Sequence, residues 1–179
     1  MRLFFGLSLP AGVLASVASL ARACETAFEG RYVPEANYHI TLAFLGDVSE
    51  ERLEEAKDIL RSSIKDVPAP LLTLSETSFF GKAQNAILIA RIHSAPTLDP
   101  LHASLVSRLA KAVLPYDNGP FSPHITLARH ARLEGVRLPK AEPLAFTPTH
   151  AHLYLSARNE ENILTYTPIF SVPFSASGV

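Results

Sequence analysis

A stretch of five residues, HITLA, occurs twice in this chain, beginning at His39 and again at His124. By chance, an exact repeat of this length arises in roughly one chain of this size in a hundred. Each copy places a threonine two residues after the histidine, at Thr41 and Thr126. A histidine with a pKa of ~6.5 can act as base or acid near neutral pH, and a hydroxyl can stabilise an oxygen that gains negative charge. The repeat therefore supplies two acid–base groups and two hydrogen-bond donors.

Two histidines suit the opening of a phosphodiester that has an adjacent leaving alkoxide. One imidazole takes a proton from the attacking oxygen, while the other protonates the leaving oxygen. Phosphoryl transfer otherwise asks a protein mainly for positioning and charge stabilisation. The sequence has no carboxylate cluster that would hold a metal, so the histidines themselves must supply both the acid and the base.

Both copies of the repeat are rich in β-branched and aliphatic residues, which predicts two strands whose side chains alternate between faces. Alternation places His39, Thr41 and Ala43 on one face. Ile40 and Leu42 then lie on the opposite face, and the second copy repeats this arrangement. Burial of the aliphatic face fixes the register, because a shift by one residue would bury the polar side chains. We expect the two strands to face each other across a groove that holds both imidazoles and both hydroxyls.

Composition and charge limit the classes of protein that this chain can be. Its 179 residues, 47% hydrophobic and 18% charged, predict a single domain over 1–179. With a net charge of −1 and no concentration of Lys and Arg, the chain lacks the basic stripe of a protein that follows a long nucleic acid. We therefore expect any nucleic-acid partner to be bound locally, at a short end rather than along a duplex. A local basic cleft remains an alternative, formed by Arg2, Arg31, Arg91, Arg129 and Arg132.

The only cysteine, Cys24, excludes an intrachain disulfide and every multi-cysteine zinc pattern, which favours the reducing cytoplasm. No apolar run is long enough to span a membrane, and we expect a monomer. The first 24 residues resemble a secretory signal in their positive start, apolar run and small residues before Cys24. Because Ser8 and Pro10 interrupt the run, we favour a strand over 2–9 and a helix that begins at Pro10.

Strand and helix patterns mix along the chain without a strict βαβ rhythm, which favours an α+β fold with antiparallel sheets. Apolar residues recur on one helical face after Ser49 as far as Ile64, and again over 97–113. The further predicted strands are 38–45, 71–80, 86–92, the second HITLA copy, 143–148, 150–156 and 164–172.

Both repeats lie in segments that resemble a known family. Residues 31–46 (RYVPEANYHITLAFLG) and 122–129 (SPHITLAR) look like the two signatures of the 2H phosphoesterase superfamily. The likeness is closest to its RNA 2′,3′-cyclic phosphodiesterase branch, once named 2′-5′ RNA ligase. It implies a bilobed α+β fold with pseudo-twofold symmetry, in which two antiparallel sheets flank a central cleft and helices lie outside. It also implies a single domain of two interleaved lobes, a metal-free site in the cleft, and no cofactor.

The resemblance also implies an activity and a set of site residues. The family opens 2′,3′-cyclic phosphates at RNA ends and leaves a 2′-phosphate. The implied partner is therefore an RNA end with a 2′,3′-cyclic phosphate or a small cyclic nucleotide, and no DNA is expected. Carried onto this chain, His39 and His124 are catalytic, and Thr41 and Thr126 bind the substrate. We assign His124 as the base for water and His39 as the acid toward the 3′ oxygen, although the symmetry of the motifs does not distinguish these roles.

Arg129 matches an arginine that often follows the second motif in this family, and its guanidinium suits phosphate oxygens. Strict alternation points Arg129 away from His124. It joins the site only if the strand ends or bulges after Ala128.

Two alternative functions use the same residues. One is the formation or cleavage of 2′-5′ linkages, and the other is a non-catalytic module that binds a nucleotide or an RNA end. Among other candidate residues, His150 and His152 share a strand face but have no third metal ligand at a recognised spacing. Tyr38, Phe44 and Phe121 flank the motifs, where they either stack on a base or pack in the core.

Overall fold

The computed structural model describes residues 1–94 and 98–175. Its helices are α1 (Ala11–Glu25), α2 (Leu53–Ile64) and α3 (Leu98–Lys111), with one-turn 3₁₀ helices at Glu35–Asn37 and Glu50–Arg52. Its strands are β1 (Arg2–Leu7), β2 (Arg31–Tyr32), β3 (Ile40–Asp47), β4 (Leu72–Lys82), β5 (Asn85–Ser94), β6 (His124–Ala131), β7 (Leu144–Phe146), β8 (His150–Arg158) and β9 (Leu164–Pro173).

The strands form two sheets, one in the order β3-β1-β8-β9 and the other in the order β2-β6-β5-β4-β7. Every pairing between these strands is antiparallel. Each sheet therefore contains one copy of the repeated motif, β3 in the first and β6 in the second. The predictions of an α+β fold and of antiparallel sheets are confirmed.

The chain passes back and forth between the two sheets. After β1 in the first sheet, α1 packs against β6 of the second sheet, whereas α2 packs against β8 and β9 of the first and α3 against α2 and β3. The helices bury one face each, at Ala56, Leu60 and Ile64 in α2 and at Leu105 and Leu109 in α3. One cluster of buried side chains runs through both sheets and all three helices among the described residues.

The N-terminal segment forms the predicted strand and helix, since β1 lies between β3 and β8 and α1 follows directly. Cys24, in α1, is completely buried, which fits a small apolar side chain in a core, and burial raises its pKa to about 11. Within the part of the chain that the structure describes, no helix has the length and hydropathy needed to cross a membrane.

Most of the predicted elements are present, with shifted ends. The sequence did not predict β2, a two-residue strand that pairs with β6. The predicted start of the third helix at Thr97 lies outside the described residues. The assignment of 1–179 to a single domain of two interleaved lobes stays a prediction.

Gly6 lies in β1 directly beside the first motif, where it pairs with Thr41. A Cβ atom at this position would lie 2.9 Å from the backbone oxygen of Ile40 and 3.3 Å from the ring of Tyr154. We expect Gly6→Ala to lower the free energy of unfolding by about 1–3 kcal/mol, because a backbone oxygen cannot move aside as a side chain can. Urea unfolding measures the change.

The control for this substitution is Gly12→Ala in α1, where a Cβ would have no neighbour within 4 Å. Alanine at this helical position stabilises the protein by up to about 1 kcal/mol, because glycine loses more backbone entropy on folding. Equal effects of the two substitutions would contradict the proposed close contact at Gly6.

Candidate active site

A cavity of about 110 Å³ lies between the two sheets and is lined by side chains of both motifs. Its lining residues are Phe4, Val33, Asn37, His39, Thr41, Phe44, His124, Thr126, Arg129 and Tyr166. The structure thus brings all five predicted site residues to the same cavity, although the two motifs are far apart in sequence. Their roles in catalysis stay predictions.

Each imidazole is oriented by a backbone carbonyl two residues before it. Nδ1 of His39 donates to the oxygen of Asn37 at 2.7 Å, and Nδ1 of His124 donates to the oxygen of Ser122 at 2.7 Å. A carbonyl can only accept, so Nδ1 carries the hydrogen in both rings. In a neutral ring, Nε2 then has the free lone pair that proton transfer requires.

The two motifs differ in what surrounds Nε2. At His39, the hydroxyl of Thr41 lies 3.0 Å from Nε2 and donates to it when the ring is neutral. At His124, no hydrogen bond to Nε2 is found among the residues that the structure describes. The sequence repeat is thus symmetric, but the hydrogen bonding of the two imidazoles is not.

Aromatic rings enclose His39 more than His124. The ring of Phe4 lies 4.7 Å from that of His39, and Tyr166 contacts it edge-on at 5.0 Å. At His124, the ring of Phe80 makes an edge-on contact at 5.0 Å. Aromatic walls remove water from the imidazole, which disfavours its charged form.

Burial lowers the pKa of both histidines. The pKa of His39 falls to about 4, chiefly because its ring is desolvated, and the charges of His124 and Arg129 act in the same direction. Desolvation also lowers the pKa of His124, with Arg129 and Arg91 adding to the effect. The carbonyls of Asn37 and Ser122 oppose these shifts in part. Both imidazoles are therefore neutral at pH 7 in the free protein.

The lowered pKa of His39 makes folding stability depend on pH. Between pH 6.5, its ordinary value, and about 4, its value in the fold, the unfolded chain binds a proton that the folded protein does not. The contribution of His39 to the free energy of unfolding is therefore fully present above pH 6.5 and is lost as the pH falls toward 4. We expect His39 to account for a loss of about 3 kcal/mol in unfolding free energy between pH 7 and pH 4. Urea unfolding across this range measures it.

Substitution of His39 by glutamine removes the titrating group, so the variant should lose less stability on acidification than the parent protein does. His93→Gln is the matched control, because His93 is exposed and lies outside the cavity. A His39→Gln variant that loses stability as steeply as the parent would show that other groups cause the acid sensitivity.

In both motifs, the alternation of side chains between the two faces of the strand is interrupted after the threonine. The pairing of β3 with β1 shifts register between Thr41 and Ala43, and the pairing of β6 with β5 shifts between Thr126 and Ala128. Both alanines are buried, and neither lines the cavity. The prediction that they share a face with the histidines is wrong, because a β-bulge inserts an extra residue at this point of each strand.

The bulges bring the next side chains back to the cavity. Phe44 and Arg129 occupy the same position relative to their histidines, and both line it. Arg129 does line the cavity, but the bulge that turns it there lies before Ala128, whereas the prediction required one after Ala128. A second irregularity follows at His130, whose φ of 53° lies in the left-handed region. Corresponding positions of the two motifs therefore differ chemically, because the first motif has the aromatic ring of Phe44 where the second has the cation of Arg129.

The cavity is also lined by four residues that the sequence did not predict: Phe4, Val33, Asn37 and Tyr166. The amide of Asn37 donates to the oxygen of Leu164 at 2.8 Å and accepts from the backbone nitrogen of Tyr166 at 3.1 Å. It thereby holds the segment before β3 against β9. Its position before His39, equal to that of Ser122 before His124, was the signal that could have identified it; Tyr166 carries no local signal.

The remaining candidate residues lie outside this cavity. Tyr38 is buried, whereas Phe121 stacks on His102 with ring centroids 3.9 Å apart. His150 and His152 stack at 5.9 Å, but no third metal-ligating side chain joins them among the described residues. Three of the scattered arginines lie elsewhere: Arg2 over Phe44, Arg91 paired with Glu76, and Arg132 paired with Glu29.

The chain matches the 2′-5′ RNA ligase superfamily over residues 13–160. It belongs to this superfamily. This superfamily member is 34% identical to the RNA 2′,3′-cyclic phosphodiesterase of Escherichia coli (strain K12) over 138 residues, which are 77% of this chain and 76% of that protein. A protein of the same name from Bacillus subtilis (strain 168) is 24% identical over 127 residues, or 70% of this chain and 69% of that protein.

Two solved structures share the fold over nearly the whole chain. TT0787 of Thermus thermophilus matches with a TM-score of 0.84 at 25% identity, covering 99% of this chain and 100% of that one. E. coli LigT complexed with 3′-AMP matches with a TM-score of 0.82 at 29% identity, covering 97% and 98%. The predicted 2H phosphoesterase fold and the prediction of an enzyme of this family are confirmed.

Proposed function

We propose that this protein hydrolyses 2′,3′-cyclic phosphates, at RNA ends or on nucleotides, to 2′-phosphomonoesters without a metal ion. The observation that carries the proposal is the convergence of both His-x-Thr pairs and Arg129 on one cavity. At about 30 Å³ per water molecule, its 110 Å³ hold a few waters or one phosphate group. The names of the related enzymes, and the complexes of E. coli LigT with 3′-AMP and with phosphate, support the same substrate class.

The proposed reaction needs two proton transfers on opposite sides of the phosphorus atom. A water oxygen attacks phosphorus and gives its proton to one imidazole. The bond between phosphorus and the 3′ oxygen breaks, and the other imidazole, as imidazolium, protonates that oxygen. The phosphate stays on the 2′ oxygen. Histidines from two facing sheets fit this in-line arrangement, because one motif approaches from each side.

We assign His124 as the base and His39 as the acid. Nε2 of His124 has no hydrogen-bond partner among the described residues, so its lone pair is free to accept a proton from water. His39 must gain a proton before it can act, and a bound phosphate anion favours that protonation by its charge. Once the ring is protonated, the hydroxyl of Thr41 no longer donates to Nε2 and can turn to a phosphate oxygen.

Charge on the phosphate oxygens would be stabilised by Thr41, Thr126 and Arg129, which offer hydroxyl and guanidinium donors. The lining of the cavity, as far as the structure describes it, contains no carboxylate and no thiol, so the two imidazoles are its strongest ligands for a transition metal. Within residues 1–94 and 98–175, no group of three or more metal-ligating side chains is found. This donor set suits a mechanism that depends on proton transfer and hydrogen bonding.

The test is turnover of a nucleoside 2′,3′-cyclic phosphate in the presence of EDTA, with ³¹P NMR to identify the product. We expect full activity, a bell-shaped pH profile, and phosphate on the 2′ oxygen. Loss of activity that added metal restores would overturn metal independence. Stoichiometric binding without product would show a binding module instead.

A second candidate, the formation of 2′-5′ linkages, is favoured by the name of the superfamily. In that reaction an RNA 5′ hydroxyl replaces water as the nucleophile, and the same bond to the 3′ oxygen breaks. Adding a 5′-hydroxyl RNA to the assay tests this candidate, which requires a 2′-5′ linked product to form alongside the 2′-phosphate.

A further inference from the structure

A second, larger groove of about 520 Å³ adjoins the active-site cavity. The two share the side chains of Val33, Asn37, Arg129 and Tyr166. We call this second space the arginine groove; its other lining residues are Arg31, Tyr32, Pro34, Arg158, Asn162, Ile163 and Leu164. Its volume falls within the roughly 300–1,000 Å³ typical of small-molecule sites.

The arginine groove is positively charged in a chain whose net charge is −1. Arg31, Arg129 and Arg158 line it, and no carboxylate does. None of these arginines forms an ion pair within the part of the chain that the structure describes. One nitrogen of Arg158 donates to the backbone oxygen of Asn162 at 2.6 Å, which orients the guanidinium and leaves its other donors available.

The space that adjoins the active-site cavity away from the arginine groove differs from that groove in charge. A smaller space of about 140 Å³ shares Thr41, Phe44 and His124 with the cavity, and its lining includes the carboxylate of Asp117 but no arginine. An anionic chain that leaves the cavity is therefore attracted to the arginine groove and repelled at the opposite end.

Apolar side chains line the arginine groove together with the arginines. Ile163 and Leu164 are 45% and 38% exposed, which is uncommon for large apolar side chains in this protein. The hydroxyl of Tyr32 donates to the backbone oxygen of Phe28 at 3.1 Å, so its ring is held in place. A positively charged groove that also offers aromatic rings on which bases stack is typical of sites for single-stranded nucleic acid, and the rings here are those of Tyr32 and Tyr166.

We propose that the arginine groove binds the nucleotides on the 5′ side of the terminal cyclic phosphate, with Arg31 and Arg158 on the phosphodiester backbone. The inference rests on the proposed function. A nucleotide held by its 2′,3′-cyclic phosphate has two groups that must leave the cavity, the base and the 5′-linked chain. Of these two groups only the 5′-linked RNA chain carries phosphates, so we place this RNA chain along the arginines. The preferred substrate is then an RNA end rather than a mononucleotide.

The first test compares a nucleoside 2′,3′-cyclic phosphate with a trinucleotide that ends in the same group. We expect the parent protein to have the higher kcat/KM on the trinucleotide. Arg31→Ala and Arg158→Ala should each lower kcat/KM for the trinucleotide about tenfold, the scale of one charge-assisted hydrogen bond, and leave the mononucleotide unchanged. The dependence of log kcat/KM on log salt concentration should become shallower by about 0.7 per arginine removed.

Arg108→Ala is the matched control, because Arg108 is exposed on α3 and lines neither space. Equal losses on both substrates would overturn the inference, since the arginines would then serve the cavity itself. A parent protein that hydrolyses the mononucleotide but does not prefer the trinucleotide would also overturn it, while the proposed function would stand.

A binding experiment tests the groove independently of turnover. The probe is a trinucleotide with a 5′ fluorescent label and a 2′-phosphate end, followed by fluorescence anisotropy. We expect Arg158→Ala to weaken its binding about tenfold. An unchanged Kd would overturn the inference. So would displacement of the probe by a nucleoside triphosphate as effectively as by unlabelled trinucleotide, because the groove would then bind a polyphosphate rather than an RNA chain.

Discussion

Alanine at His39 or at His124 lowers kcat for a 2′,3′-cyclic phosphate by about 10²–10⁴, the contribution of one general acid or base. Each imidazole is held by a carbonyl at 2.7 Å, so the parent protein starts from an aligned proton-transfer group that alanine removes completely. Steady-state kinetics on a nucleoside 2′,3′-cyclic phosphate measures the loss. His150→Ala is the control, because His150 lies outside the cavity and should have parent activity.

The two substitutions act on one reaction, so the double variant should lose less than the product of the two single losses. A substrate with sulfur in place of the bridging 3′ oxygen separates the roles, because a thiolate leaves without a proton. On this substrate the loss in His39→Ala should shrink to about tenfold or less, while the loss in His124→Ala persists. The opposite pattern would exchange the acid and base assignments, and parent-like activity of both variants would refute the catalytic site.

Arg129→Ala is expected to have the second largest effect, a loss of about 10²–10³ in kcat/KM, the range found for removing one donor to a developing oxyanion. Arg129 lines the same cavity as the two imidazoles, and its positive charge lowers the pKa of both. Removing that positive charge raises both values toward 6.5. The acid limb of the pH–rate profile should therefore move to higher pH, and a pH series of kcat/KM measures both effects.

Arg129→Lys keeps the charge but loses the paired donors of the guanidinium. It should retain the acid limb of the parent protein while losing part of kcat/KM, which separates the electrostatic effect from phosphate binding. The matched control is Arg132→Ala, since Arg132 is close in sequence but its side chain is 74% exposed, pairs with Glu29 and does not line the cavity. An Arg129→Ala variant with parent kcat/KM and an unmoved acid limb would exclude this residue from the site.

The different residues at corresponding positions of the two motifs give the cavity a direction. In the first motif, Phe44 lies where the cavity meets the smaller space beside Asp117, whereas in the second motif Arg129 lies where the cavity meets the arginine groove. The 2′ and 3′ ester oxygens of a cyclic phosphate are chemically alike, so this difference between the two motifs favours one orientation of the bound phosphate over the other. The asymmetry begins at the β-bulges, because unbroken alternation would have turned both side chains away from the histidines.

Much of the fold could be predicted because it depends on patterns that are local in sequence. The helices α2 and α3 follow from apolar residues on one face, and the strands from alternation and turn residues. The lining residues that come from outside the two motifs could not be predicted in this way. Tyr166 comes from β9 and Phe4 from β1, and only the strand order brings them to His39. Arg158 was missed for the same reason.

The sequence by itself determined which groups carry the proposed chemistry, since one His-x-Thr pair occurs twice and burial of Ile40 and Ile125 directs each pair toward the cleft. Only the tertiary structure decided that the pairs meet, that Arg129 joins them, and that the pKa of His39 falls to about 4. The physical reason is that residue type and alternation are properties of a short segment. Convergence, bulge position and desolvation depend on which distant strands pack around that segment.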